Sequence, residues 1–329
     1  MYKINTSFDC PGFEGLYNFC ELAVGSSLNA ADLIITGESH FAINWGGGYH
    51  HAKKSEASGF CYVNDIVVCI LELLKVYPRV LYVDIDVHHG DGVEEAFYHT
   101  NRVMTVSFHQ YEDDFFPGTG EVQSIGEGYG KYYTVNVPLR KGINDIMYIN
   151  MFKKIMSLLM HSYHPDVVVF QSGADSLSKD RIGNLDLSIS AYGECVKFMK
   201  DFNVPMVLLG GGGYTIENVS RCWAYETSIL LNQNIGDKIP ETNEFAEYYK
   251  EDEYKLHFPV TGVENLNQQK ELDRIYQYVA DGIREAEIRP SVVFHYAPKP
   301  YLPSNDFEWE MIPEEDDSIE ENFMARFFK

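Results

Sequence analysis

Four short apolar runs stand out in the pattern of hydrophobic and polar positions along the chain. They are rich in Val, Ile, Leu and Tyr and are bounded by glycines or polar residues. Runs of this length and composition predict strands that are buried on both faces. The four predicted strands cover residues 80–85, 103–108, 167–170 and 204–209.

Longer segments with apolar residues at helical spacing surround these runs. They cover residues 62–76, 146–163, 191–202 and 218–231. Pro165 marks the end of the second segment, because proline cannot continue a helix. Short strands that alternate with helices predict an α/β domain whose mostly parallel sheet is covered by helices.

Polar side chains follow each predicted strand at its carboxyl end. They are Asp84, Asp86 and His88 after the first strand, Ser107 and His109 after the second, Gln171 and Asp175 after the third, and residues 210–214 after the fourth. The carboxyl ends of parallel strands share one edge of a sheet, and ligands bind at that edge. We therefore expect these residues to converge.

The segment D-I-D-V-H-H-G-D-G at residues 84–92 is the first candidate for chemistry. Alternation along a strand places Asp84, Asp86 and His88 on one face. Two buried carboxylates side by side need a cation or donors, because an unpaired buried charge is costly. Oxygen and nitrogen ligands suit Zn²⁺ or a similar divalent ion, although strand-end caps and ion pairs explain an isolated motif of this kind about equally well. Asp175, at the end of another strand, favours the metal.

Adjacent histidines lie in a glycine-rich stretch. His50 and His51 follow Gly-Gly-Gly at residues 46–48 and are candidates for metal ligands, for acid–base groups or for surface histidines with ordinary hydrogen bonds. Asp84 and Asp91 are available to hold each imidazole in one tautomer.

Four glycines precede Tyr214 after the last predicted strand. No Lys-Ser/Thr follows them, so a phosphate-binding loop is disfavoured. The glycines allow the Tyr214 hydroxyl to point inward as a hydrogen-bond donor, and a flexible turn with a packing tyrosine is the alternative. Phe60 and residues 115–116 also lie beside glycines, where they either pack in the core or line a ligand pocket.

Charge and cysteine content narrow the classes of partner and compartment. The chain has 26 Lys and Arg against 49 Asp and Glu, a net charge of −23, which disfavours nonspecific duplex binding and favours a basic partner. The six cysteines form no C-x-x-C pair, so we expect buried free thiols in a reducing compartment. Neither a secretory signal nor an apolar stretch of bilayer length is visible, so we expect a soluble intracellular protein.

The last third of the chain has a weaker pattern. From residue 233 onward it carries 22 acidic and 10 basic residues, including the run P-E-E-D-D at residues 313–317. This composition predicts a peripheral helix at residues 272–288, followed by a mobile acidic tail.

Four motifs give the chain a specific resemblance. They are A-K-K-S-E-A-S-G-F-C-Y-V-N-D at residues 52–65, D-I-D-V-H-H-G-D-G-V-E-E-A-F at 84–97, F-P-G-T-G at 116–120 and G-G-G-G-Y-T at 210–215. With them the chain resembles the class I histone deacetylases from Asp9 to about Tyr254. The resemblance implies a single arginase-like three-layer α/β domain at residues 1–255, shortened at its N-terminus relative to the family, and a peripheral segment with the acidic tail at 256–329.

The resemblance also implies roles for individual residues. The implied zinc ligands are Asp86, His88 and Asp175. The implied catalytic residues are His50, His51 and Tyr214, with Asp84 and Asp91 as the partners of the histidines. The residues implied for the acetyl-lysine tube and its rim are Asp9, Gly59, Phe60, Phe116 and Ile182. A potassium ion is implied near Asp84, Asp86, His88, Ser107 and Phe108.

The function implied by the resemblance is zinc-dependent hydrolysis of N6-acetyl-lysine on histone tails. We expect co-repressor scaffold proteins as partners, no sequence-specific nucleic acid, no membrane, and a location in the nucleus or also the cytoplasm. The alternatives are a non-catalytic deacetylase-like scaffold subunit, an acetylpolyamine amidohydrolase and an arginase-like ureohydrolase. Leu177 disfavours the last, because a two-metal arginase-like site has an aspartate there.

Overall fold

A six-stranded parallel sheet is the centre of the computed structural model, which describes residues 9–286. The strands are β1 (Phe41–Asn44), β2 (Val80–Asp84), β3 (Val103–Gln110), β4 (Thr134–Leu139), β5 (Val167–Gln171) and β6 (Met206–Leu209). Their order in the sheet is β1-β6-β5-β2-β3-β4, and every neighbouring pair is parallel. All carboxyl ends therefore lie along one edge.

Seven α-helices connect and cover the strands within the described residues. They are α1 (Leu16–Ile35), α2 (Asp65–Leu73), α3 (Asp91–Phe97), α4 (Asp145–Tyr163), α5 (Ile189–Lys200), α6 (Ile216–Leu230) and α7 (Gln269–Glu285). Asn64, Asn144 and Ser188 begin three of them by accepting a hydrogen bond from a backbone N–H of the first turn. Helix α4 ends where His164 adopts a left-handed conformation before Pro165, as the sequence predicts.

The helices form two layers, one on each face of the sheet. Strand β2 shows how the layers arise, because alternate side chains point to opposite faces. Val80 and Tyr82 pack with residues of α1, α2 and α3, whereas Leu81 and Val83 pack with residues of α4 to α7. The predicted α/β fold with three layers and a parallel sheet is confirmed.

The four predicted strands are present with shifts of one or two residues at their ends. The sheet also contains β1 and β4, which were not identified from the sequence. Both lie at its edges, where strands are short or carry polar residues and so lack a continuous apolar run. Strand β4 also contains Pro138, which an edge strand tolerates because no described strand pairs with its outer side.

Helix α7 confirms the helix predicted near residues 272–288. Its buried residues Leu272, Val279 and Ile283 pack in the same core as α4. The predicted acidic tail lies outside the described residues, and the predicted domain boundary at residue 255 stays a prediction. No helix within residues 9–286 combines the length and apolarity that a membrane crossing needs.

All six cysteines are free, as the sequence predicts. Five of them are buried, but Cys20 on α1 is only partly buried, so the prediction of six buried thiols was wrong at this position. Leu16 and Val24, one turn away on the same face of α1, are also only partly buried.

Candidate active site

The polar residues that follow the strands converge at the carboxyl edge of the sheet. Asp84 ends β2 and lies in register with Ser107 on β3 and Gln171 on β5. The loop after β6 reaches the same place, because the backbone N–H of Gly212 donates to Asp86 Oδ2 at 2.8 Å. The predicted convergence is therefore present in the structure.

Asp86, His88 and Asp175 form a buried cluster just beyond the strand ends. Each offers one ligand atom, and these atoms all lie within 4.8 Å of one another. His88 Nδ1 is 3.1 Å from Asp86 Oδ1 and 3.1 Å from Asp175 Oδ2. The backbone N–H of Val87 donates to the other oxygen of Asp175 at 2.8 Å, which joins the two loops.

The cluster has the chemistry of a site for a divalent cation. Its two carboxylates are fully buried, and within residues 9–286 their ion pairs are with His50 and His88 only. Burial, together with the negative charge of Asp86, raises the pKa of Asp175 to about 7. Two carboxylate oxygens and one imidazole nitrogen are a ligand set that Zn²⁺ accepts, and such a cation would offset the repulsion. The residues fit a divalent metal.

His50 is held by a carboxylate at the end of β2. Its Nδ1 lies 2.8 Å from Asp84 Oδ2, which also accepts a hydrogen bond from the Tyr82 hydroxyl at 2.6 Å. Burial disfavours the charged imidazole, but the charges of Asp84 and Asp86 outweigh it and raise the pKa of His50 to about 9. His50 is therefore protonated at neutral pH in this environment.

His51 also pairs with a carboxylate, but its imidazole is neutral where that of His50 is charged. Its Nδ1 lies 2.7 Å from Asp91 Oδ1, and Lys53 Nζ lies 2.9 Å from the other oxygen of Asp91. Burial and the adjacent charge of His50 lower the pKa of His51 to about 4, despite the opposing effect of Asp91. His51 is therefore neutral at neutral pH. No role was predicted for Lys53 from the sequence, although Lys53 lies two residues after His51 in the motif at residues 52–65.

A cavity of about 160 Å³ opens to the surface and is lined by His88 of this cluster. Its lining includes all five residues predicted for the tube and rim, together with deeper residues from the site. The predicted lining residues are Asp9, Gly59, Phe60, Phe116 and Ile182, and the deeper ones are His51, His88 and Tyr214. The structure thus brings the predicted pocket residues together, while their roles stay predictions.

Gly59 lets the wall of the cavity approach the histidines. It has φ of +52°, and a Cβ at this position would lie 2.9 Å from the Phe116 ring and overlap the His51 ring. Its backbone N–H donates to Asp9 Oδ2 at 2.7 Å, so the rim aspartate is fixed against this turn.

Tyr214 follows the glycine loop and lines the cavity opposite Phe60, with ring centroids 6.0 Å apart. Burial and the carboxylates of Asp175 and Asp86 raise the pKa of Tyr214, so its hydroxyl keeps the proton and can donate it to a ligand. Gly212 is required within the loop, because a Cβ there would overlap Asp175 Oδ2.

Asp180, like Lys53, was not found from the sequence, and Phe115 was named there only together with Phe116. Phe115 stacks on the His88 ring with centroids 5.3 Å apart and an interplanar angle of 9°. Asp180 accepts the backbone N–H of Tyr214 at 2.8 Å. Both contacts join segments far apart in the chain, so no local pattern marks them. For the contact of Phe115 with His88, the only signal in the sequence was the pair of phenylalanines at residues 115–116.

The residues predicted for a potassium ion lie at the ends of β2 and β3. Ser107 is beside Asp84 in register, and its hydroxyl lies 2.9 Å from His109 Nδ1. Phe108 belongs to β3, and its side chain is buried in the core on one face of the sheet. A potassium ion at this place stays a prediction.

The parallel sheet and the buried Asp-His-Asp cluster define an α/β protein with a candidate divalent-metal centre at the carboxyl edge of its strands. The model of the histone deacetylase domain matches residues 2–230, and the chain belongs to this family. The resemblance inferred from the motifs is therefore confirmed.

Relatives in plants, an amoeba and animals match most of the chain. Over 307 residues it is 54% identical to histone deacetylase 2 of Oryza sativa subsp. japonica, covering 93% of this chain and 60% of that protein. It is 52% identical to type-1 histone deacetylase 1 of Dictyostelium discoideum over 91% of this chain and 60% of that protein. Histone deacetylase 1 of Homo sapiens is 52% identical over 91% of this chain and 61% of that protein. The chain thus spans about three fifths of the length of these relatives.

Proposed function

We propose that the protein is a zinc-dependent lysine deacetylase that hydrolyses N6-acetyl-lysine on histone tails. The observation that carries the proposal is that the buried Asp86, His88 and Asp175 cluster borders two cavities that share lining residues. His88 lines the cavity of about 160 Å³ and Asp86 lines one of about 280 Å³, and His51, Gly59, Phe60 and Tyr214 line both. Membership of the histone deacetylase domain family supports the same activity.

The shape and polarity of the cavity suit an acetylated lysine side chain. Phe60 and Phe116 give its mouth aromatic walls, which suit the methylene stem and a neutral amide. A charged lysine is less well accommodated there, because an apolar wall does not replace its hydration. Asp9 at the rim is the acceptor that we propose for the backbone of the substrate.

The two histidines would have different roles in hydrolysis. His51 would transfer protons as an acid–base catalyst, and His50 would stabilise charge. Asp86, His88 and Asp175 would hold Zn²⁺, which when bound would polarise the amide carbonyl and lower the pKa of water. His51 is neutral and its Nδ1 faces Asp91, so Nε2 is left to take a proton from the attacking water. The same nitrogen then protonates the leaving lysine amine. His50, whose Nδ1 faces Asp84, would stabilise the negative charge that develops.

The Tyr214 hydroxyl would act as the donor to the oxyanion. It keeps its proton because burial and the neighbouring carboxylates raise its pKa. Removing one donor of this kind lowers a rate by about 10²–10³-fold.

Basic histone tails also match the overall charge of the chain. A net charge of −23 attracts cationic peptides and speeds their encounter with the site. We extend the proposal to a nuclear location and to co-repressor scaffold proteins as partners. The names of the relatives, which are histone deacetylases, support a chromatin substrate.

The proposal is tested by turnover and metal content measured on the same preparation. We expect the protein to bind about one zinc per chain, to deacetylate an acetylated histone-tail peptide, and to lose and regain activity as zinc is chelated and restored. Tyr214→Phe should retain zinc and lose activity by about 10²-fold or more. The exposed Tyr129 supplies the control, since Tyr129→Phe should leave turnover unchanged.

Two results would contradict parts of this proposal. Bound zinc without turnover of any acetylated peptide by the wild-type protein would rule out the activity. Faster turnover of an acetylated polyamine than of the peptide would rule out the substrate class.

A further inference from the structure

One carboxylate joins the loop of Tyr214 to the wall of the cavity. Asp180 lies in the segment after β5, whereas Tyr214 follows β6. Asp180 Oδ2 accepts the backbone N–H of Tyr214 at 2.8 Å. Its Oδ1 accepts the N–H groups of Ile182 at 2.8 Å and Gly183 at 3.0 Å. A single side chain thus holds three backbone donors from two segments.

The loop before Tyr214 needs such an anchor. Residues 210–213 are all glycine, so the backbone itself imposes little on the direction in which Tyr214 leaves the loop. The loop is held on its inner side by the bond from Gly212 N–H to Asp86 Oδ2. The bond to Asp180 is the next constraint along the chain, and it acts on the peptide group of Tyr214 itself. Hydrogen bonds to an ionised carboxylate are stronger than neutral ones.

The neighbouring backbone reinforces this connection. The Thr215 hydroxyl donates to the carbonyl oxygen of Lys179 at 2.8 Å. Residues 214 and 215 of one segment are therefore hydrogen-bonded to residues 180 and 179 of the other. Gly183 in turn packs so closely on the backbone carbonyl of Asp175 that a Cβ would overlap it. Asp180 therefore fixes Tyr214 relative to the segment that carries Asp175 and Ile182.

We propose that Asp180 is a positioning residue that sets the place of the Tyr214 hydroxyl over the metal cluster. This role rests on the proposed function, because it matters for turnover only if that hydroxyl acts on the substrate. Asp180 does not itself line the cavity. A displacement of a reacting group by about 1 Å lowers a rate by as much as 10²-fold, which is the scale of effect expected here.

A double-mutant cycle with kcat as its readout tests the role. Asp180→Ala should lower kcat by about 10- to 100-fold with unchanged zinc content. Asp180→Asn keeps one acceptor oxygen and should restore part of the loss. In a Tyr214→Phe background, Asp180→Ala should lower kcat by less than about twofold, because the hydroxyl that it positions is gone. The exposed Asp201 at the end of α5 supplies the control, since Asp201→Ala should match wild type in both backgrounds.

The outcomes separate this role from the proposed function. Equal losses from Asp180→Ala with and without the Tyr214 hydroxyl, or wild-type kcat in Asp180→Ala, would overturn the positioning role alone. A Tyr214→Phe protein with wild-type turnover would overturn the function of Tyr214 and this role with it. If Asp180→Ala melts below the assay temperature, Asp180→Asn completes the same cycle.

Discussion

A buried acid on α6 leads to a prediction about stability and pH. Glu226 is fully buried, and its Oε1 accepts a hydrogen bond from the Ser172 hydroxyl at 2.6 Å. Its Oε2 has no hydrogen-bond partner among the described residues. Burial raises the pKa of Glu226 from 4.5 to about 8, although the bond from Ser172 opposes this change. The folded protein therefore keeps this carboxyl group protonated at neutral pH.

The raised pKa makes the folded state lose stability as pH rises. Between pH 4.5 and about pH 8 the folded chain holds the proton of Glu226, while the unfolded chain has released it. The free energy of unfolding then falls by about 1.4 kcal/mol per pH unit, or on the order of 4 kcal/mol between pH 5 and pH 8. Glu226→Gln has the same shape and no proton to release, so it should lack this slope.

Urea unfolding of wild type and Glu226→Gln at pH 5, 6.5 and 8 measures the effect. The variant should gain stability relative to wild type as pH rises, by about 1 kcal/mol per pH unit, with unchanged m-values. Glu217→Gln, at a half-exposed position on the same helix, is the control for losing one acidic group. A difference between wild type and Glu226→Gln that stays constant from pH 5 to pH 8 would refute the assignment of a buried neutral acid.

Two further predictions concern the metal cluster and the histidines. Gly212→Ala should abolish zinc binding measured by metal analysis, because its Cβ would overlap a carboxylate of the cluster, whereas Gly46→Ala, with its nearest atom at 3.5 Å, should bind zinc normally. Lys53→Met removes the cation beside the partner of His51, so the pKa of His51 should rise and the acidic limb of the kcat/KM profile should move to higher pH. Lys54→Met changes a neighbouring charge and should leave that limb in place; an equal shift in both variants would contradict a specific contact.

The sequence predicts the inner strands and the convergence of Asp86, His88 and Asp175 well, for a physical reason. Strands β2, β3, β5 and β6 are buried on both faces and so form continuous apolar runs, and charged residues at their ends are conspicuous. The edge strands lack this pattern and were missed. Asp86 and His88 lie within one motif, and parallel topology alone predicts that Asp175 approaches them.

The supporting contacts of the site are less predictable from sequence. Lys53 reaches Asp91, and Asp180 reaches the backbone of a residue 34 positions away. Such contacts depend on how loops pack at the sheet edge, and a single lysine or aspartate in a polar segment has no distinguishing pattern. Phe115 is similar, because either of two adjacent phenylalanines fits the wall until the structure shows which one stacks on His88.

The two neighbouring imidazoles have a consequence for how the protein responds to acidity. The rings of His50 and His51 lie 3.9 Å apart, and the positive charge of His50 is one of the causes that lower the pKa of His51. The pKa values of about 9 and about 4 lie on opposite sides of neutrality, so the pair carries one positive charge near pH 7, and that charge resides on His50. The charge of the pair therefore changes little when the pH varies around 7.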